Sequence, residues 1–218
     1  MRPEMYHLIN HHIQVILQSI PQDEITKYDR LIADLNQVST PGYQTSYRSY
    51  WKMDGAGLDA AYRGAYFQEL QSALANRPDL ASLVAKLFET PTDKLGTKKL
   101  EFSFATKLLH TADRQRPIYD THVTAFYFFQ PLTKRPAKRS DEEWLQDRTS
   151  DLIVFYNFLS DEYTRVLANG LLAKSIRAFR SKFNPKHFTD VRIIDLLIWT
   201  YVEVLNKRGL IDGRIVFR

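Results

Sequence analysis

An all-α fold is predicted by three observations. Apolar residues recur at helical spacing from Tyr6 to Lys207, alternating strand patterns are almost absent, and most periodic runs end at Pro, Gly or a capping residue. With 44% apolar residues in 218, the chain can bury one core or two closely packed helical lobes. A single helical domain over 1–218 is expected, with no linker or internal repeat.

The elements follow in order. Tyr6 to Ile20 sets Leu8, Ile9, Ile13, Ile16 and Leu17 on one face, and Pro21 stops it. Asp23 to Val38 reads as a second helix through Tyr28, Leu31, Ile32 and Leu35. Pro41-Gly42 reads as a break, and Tyr43 to Met53 follows with four aromatic residues. After the turn Asp54–Gly57, helices are expected over Leu58–Leu74 and Asp79–Phe88. Thr92 to Lys99 is a polar hairpin candidate around Gly96, and Leu100 to Thr111 is a helix. Asp120 caps a helix reaching about Phe129, and Pro131 to Ser140 is a basic loop. Three more helical stretches cover Asp141–Asn169, Leu171–Phe183 and Thr189–Lys207, the last with Thr189 as its N-cap. The Gly-interrupted tail from Leu210 reads as a strand or hairpin.

Composition excludes several chemistries. There is no cysteine, so thiol catalysis, disulfides, cysteine-held zinc and iron–sulfur clusters are ruled out. No run of about 18 apolar residues exists, so no membrane span is expected. The N-terminus does not have the form of a signal peptide, and the expected location is the cytoplasm. Thirty Lys and Arg against 25 Asp and Glu give +5, a surplus compatible with nucleic acid but not diagnostic of it. His7 and His11 lie one helical turn apart without a third ligand at similar spacing, so they read as surface residues. No metal and no cofactor is expected.

The segment that carries chemistry runs from Lys99 to Val123. A helix burying Ala105, Leu108 and Leu109 leads through Asp113–Pro117 to Pro117-Ile118-Tyr119-Asp120-Thr121-His122-Val123. An aspartate before an apolar helix is most often only a cap. Here it follows a hairpin, a helix and a proline-led loop. In that pattern the chain resembles the helix-hairpin-helix DNA glycosylases of the endonuclease III, MutY and alkyladenine type. The specific resemblance covers roughly residues 80–130. It implies a helix-hairpin-helix glycosylase-like fold, with Asp120 as the catalytic carboxylate. Breaking an N-glycosidic bond builds positive charge on the sugar, and a fixed carboxylate stabilises it or activates water. The partner implied is double-stranded DNA carrying a damaged or modified base, which must leave the stack for an aromatic pocket.

The chain also departs from that family. Its hairpin, Leu95-Gly96-Thr97-Lys98-Lys99, has one glycine where the family has two. The place where bifunctional members carry a Schiff-base lysine falls near Phe102 and Ser103, so a monofunctional enzyme is expected, with Lys107 a weak alternative. Tyr50 and Trp51, ahead of the Asp54-Gly55 turn, are the pocket candidates within an aromatic group that otherwise reads as core. Gly96, Lys98 and Lys99 at the hairpin, Lys134 and Arg135 in the basic loop, and Lys174 and Arg177 on one helix are the DNA-binding candidates. Arg192 and Asp195, three apart, are expected to pair. Two other functions fit less well: a non-catalytic DNA-binding relative of the same fold, and a helical protein-interaction module.

Overall fold

The computed structural model describes residues 4–131, 140–208, 210–211 and 214–215. Eleven α-helices are present among them: α1 (Glu4–His11), α2 (Ile13–Ser19), α3 (Gln22–Ala33), α4 (Pro41–Trp51), α5 (Ala60–Asn76), α6 (Leu80–Glu89), α7 (Phe102–Ala112), α8 (Thr121–Phe126), α9 (Asp141–Ala168), α10 (Ala173–Phe183) and α11 (Asp190–Arg208). A two-residue antiparallel ladder pairs Leu210 with Ile215 and Ile211 with Arg214. Lys134 and Arg135, with the rest of the basic loop over 132–139, lie outside the described residues.

Local chemistry shifts several boundaries from the periodicity. The first apolar run splits at buried His12, whose backbone leaves the helical region at φ −95° and ψ 14°. The second splits at Asp34, where the helix tightens into a 3₁₀ turn over Leu35–Gln37. Pro41-Gly42 does not break a helix but begins one. Thr40 accepts from the Tyr43 N–H, and Pro41 sits in the first turn, where its missing N–H costs nothing. Gly170, at φ 63°, delays α10 to Ala173. Ser140 and Glu143 form a reciprocal capping box at the head of α9.

Two helix packs share one contiguous apolar core that runs from Tyr6 to Val202. In one, α5, α6 and α7 pack on each other, and α6 also meets α9. In the other, α11 is the axis, touching α1, α2, α8, α9 and α10. Eight successive residues of α11, Val191 to Ile198, are buried, so it packs on every side. Most of the aromatic group ties α4 and α5 to α7. The Tyr47 and Tyr66 hydroxyls meet at 2.8 Å, and Tyr66 donates to the Phe104 carbonyl at 3.0 Å.

The Thr92–Lys99 segment is a turn rather than a strand hairpin. Asp93 accepts from the N–H groups of Leu95 (2.9 Å) and Thr97 (3.0 Å) through its side chain, and from Gly96 (3.2 Å) through its carbonyl. Gly96 supplies the left-handed residue at φ 80°.

Candidate active site

The backbone of Pro117–Tyr119, which delivers Asp120, is held from three helices. Tyr156 on α9 donates to the Pro117 carbonyl at 3.0 Å. The Ile118 N–H reaches both carboxyl oxygens of Asp195 on α11 at 3.3 Å. The Tyr119 N–H donates to Thr106 at 3.1 Å, and its carbonyl accepts from Ser103 at 3.1 Å, both on α7. This segment cannot move without breaking buried hydrogen bonds. Ser103, at the position where a lysine was sought, serves as a structural tie.

Asp120 then caps α8. Its Oδ1 accepts from the His122 N–H at 3.0 Å and lies 3.4 Å from His122 Nδ1. Its Oδ2 has no hydrogen bond among the described residues. The His122 ring packs on Trp199 of α11, with centroids 4.7 Å apart.

Asp120 lines a cleft of about 390 Å³, within the range of small-molecule sites. The same cleft is lined by Tyr50 and Trp51 from the end of α4, Glu24 from the start of α3, Lys107 from α7, and Arg192, Asp195 and Trp199 from α11. The carboxylate and the two aromatic residues singled out in the sequence therefore meet. Tyr50 and Trp51 are 9% and 6% exposed, so they offer walls rather than open faces. The half-buried ring is Trp199.

Lys107 is the surprise of the cleft. It is half-buried, with its Nζ 4.9 Å from the Phe104 ring centroid and 5.8 Å from that of Trp51. Its carbonyl accepts from the Thr111 hydroxyl at 2.8 Å, but no hydrogen bond or ion pair of its ammonium is seen among the described residues. Burial pushes its ammonium below the ordinary lysine range, while the nearby Asp120 charge opposes that shift.

Asp195 is 2% exposed, and burial raises its carboxyl to about 7. Tyr163 donates to it at 2.8 Å. It does not form the expected ion pair with Arg192. The guanidinium turns instead to the Tyr50 hydroxyl at 2.7 Å and to Glu24 at 3.7 Å, because α4 and the start of α3 face it there.

The basic candidates divide. In the turn, the N–H groups of Leu95, Gly96 and Thr97 are all taken by Asp93, so the exposed side chains are what remains for a phosphate. Lys98 pairs with Glu89 at 2.7 Å, whereas Lys99 is exposed. Lys174 and Arg177 are exposed on α10, in the other helix pack. Lys52 and Lys207, both exposed, stand on the wall of the cleft itself, Lys207 paired with Glu203 at 2.6 Å.

The chain matches no known family model, no curated protein and no solved structure.

Among residues given little or no role in the sequence reading, Lys107, Glu24, Lys52 and Lys207 stand out. One signal was available for Lys107: it is the single lysine on α7, which carries no arginine, aspartate or glutamate. Glu24 and the two rim lysines leave no sequence signal, since their place depends on how α3, α4 and α11 converge.

Proposed function

We propose that this chain is a DNA N-glycosylase with a helix-hairpin-helix glycosylase-like fold, acting in the cytoplasm on a damaged or modified base in duplex DNA. The observation that carries the reading is the shared cleft of Asp120, Tyr50 and Trp51. The base, once flipped, enters between the aromatic walls, and its sugar C1′ comes to Asp120. The C1′–N bond breaks with its electron pair leaving on the base. Asp120 stabilises the positive sugar through the oxygen not used in capping. Water adds at C1′, its proton passes by way of the carboxylate to the departing base, and an abasic site and free base remain. Exposed Lys52 and Lys207 at the rim, with Lys99 and the α10 cations, supply charge for phosphates. Among the described residues no helix is long and apolar enough to cross a membrane.

The place of Lys107 favours a second reading of the same site. Burial favours the neutral, nucleophilic form of this amine more than in an exposed lysine, and in this cleft it stands near the carboxylate. It would attack C1′ in place of water as the C1′–N bond breaks and the base leaves with the electron pair; loss of the amine proton and opening of the sugar at C1′–O4′ would then give a Schiff base that borohydride reduces to a covalent adduct. The deciding assay uses duplexes each bearing one damaged base, with abasic sites scored before and after alkali. Wild type is expected to release free base, and Asp120→Asn to lose release by about 10²-fold or more. An adduct lost in Lys107→Met selects the lysine route. No base release from any duplex would remove the enzyme reading and leave a DNA-binding relative or an interaction module, which binding to duplex separates.

A further inference from the structure

Arg192 carries an inference that deepens the glycosylase reading and rests on the cleft being a base pocket. The residue is 6% exposed, and its guanidinium carbon lies 5.2 Å from the Tyr28 ring centroid, 5.5 Å from that of Trp51 and 5.7 Å from that of Phe188. Three rings thus restrict its plane. Burial works against its charge, but an arginine stays protonated even so, and the Glu24 carboxylate 3.7 Å away favours the cation. A guanidinium has five N–H donors and no acceptor. One nitrogen donates to Tyr50 and approaches Glu24, while Nε has no hydrogen-bond partner among the described residues. The indole N–H of Trp51, on the same cleft, has none either. Leaving charged donors unsatisfied in a buried site is costly. Both residues line the cleft, and an occupant that brings acceptors within their reach would offset that cost. Beside these donors stands one acceptor group, the half-buried Glu24 carboxyl, with Oε1 3.7 Å from Arg192 Nη2.

We infer that Arg192 and Glu24 are the specificity-determining pair, and that the pocket takes a neutral base presenting a ring carbonyl beside a ring N–H. The carbonyl, with two lone pairs, accepts from Arg192, and the N–H donates to Glu24. Bases produced by deamination or oxidation have this edge. Cationic alkylated bases are excluded, because they bring a positive charge to a desolvated guanidinium with Lys107 close by. An amino-bearing edge can reverse to meet the pair, but its ring nitrogen offers Arg192 one lone pair only. Intact guanine and thymine share the carbonyl edge. In duplex DNA their pairing opposes flipping, so the lesion is selected before the pocket is reached.

The test separates base recognition from excision. Saturation-transfer NMR measures binding of free hypoxanthine and uracil, and of 1-methylhypoxanthine and 3-methyluracil, in which the ring N–H is blocked. Wild type and Glu24→Gln are compared, and excision is measured in parallel from duplexes carrying hypoxanthine, uracil or 7-methylguanine. Wild type is expected to bind at least one parent base, to bind its N-methyl form about tenfold more weakly or worse, and to spare 7-methylguanine. Glu24→Gln should narrow that ratio. Equal binding of parent and methylated bases, no binding of either parent, or excision of 7-methylguanine in preference would overturn the pair. Discrimination among free bases without excision keeps the pair and removes the glycosylase. Excision without discrimination does the reverse.

Discussion

Asp195→Asn gives a prediction whose size follows from the structure. Burial raises this carboxyl from 3.8 to about 7, and at 2% exposure solvent screens it little. Between those two values the folded protein holds a proton that the unfolded chain has released. The stability this contributes is fully present below the unfolded value and is lost as pH rises through about 7. The slope is about 1.4 kcal/mol per pH unit, on the order of 4 kcal/mol across the window. His110 has the opposite sign. Its Nδ1 donates to the Arg116 carbonyl at 2.6 Å, so its Nε2 accepts from Tyr28 at 2.8 Å, and the ring is held neutral. Burial lowers it from 6.5 to about 3, so its contribution is present above 6.5 and lost as pH falls through about 3. The two slopes nearly cancel over their shared window in the wild type. Removing Asp195 uncovers the histidine. Urea unfolding of both proteins at half-unit steps from about pH 4 to 8 measures this. The wild-type advantage over Asp195→Asn should shrink by about 1.4 kcal/mol per unit up to about pH 7 and then level off. A difference that does not change with pH would refute the buried, protonated carboxyl.

Three further outcomes are expected. Asp120→Asn should melt within about 1 kcal/mol of wild type, since asparagine caps a helix as well as aspartate, so lost base release would report chemistry rather than folding; calorimetry checks it. Lys107→Met should melt no lower than wild type at neutral pH, because it removes a half-buried cation with no ion pair among the described residues and keeps an apolar stem against the Phe104 and Trp51 rings. A clear drop in melting temperature would mean that the ammonium has a structural role. Lys52→Ala, Lys99→Ala and Arg177→Ala should each flatten the dependence of duplex affinity on salt by about one unit of log–log slope, if each side chain displaces one counterion. A variant whose slope matches wild type has a side chain away from the phosphates.

Most of the helices were legible because they bury an apolar stripe whose period survives any tertiary arrangement. Asp120 was legible for a related reason. A cap is a local device, set by its own residue and the two that follow, and Asp120 forms it with His122. The bend at buried His12 depends on what packs against the segment, whereas the start of α4 is local, with Thr40 as its cap and Pro41 in its first turn, and the Pro-Gly pair reads as a break only if that cap is overlooked. The Arg192–Asp195 pair was misread for the same cause as the His12 bend. Spacing on one helix makes the two neighbours, but the guanidinium goes to Tyr50, 142 positions away in sequence.

What the sequence by itself determined is therefore the helical class, the capped aspartate and the exclusion of cysteine chemistry, since each needs only local periodicity or composition. The tertiary structure alone decided that Asp120, Trp51, Lys107 and Arg192 share one cleft, that Asp195 pins the loop leading to Asp120, and that the Gly96 turn spends its N–H groups on Asp93. Desolvation is the physical reason. The chemistry of a lysine, an arginine or an aspartate is set by how much water and how many partners surround it, and both come from residues distant in the chain.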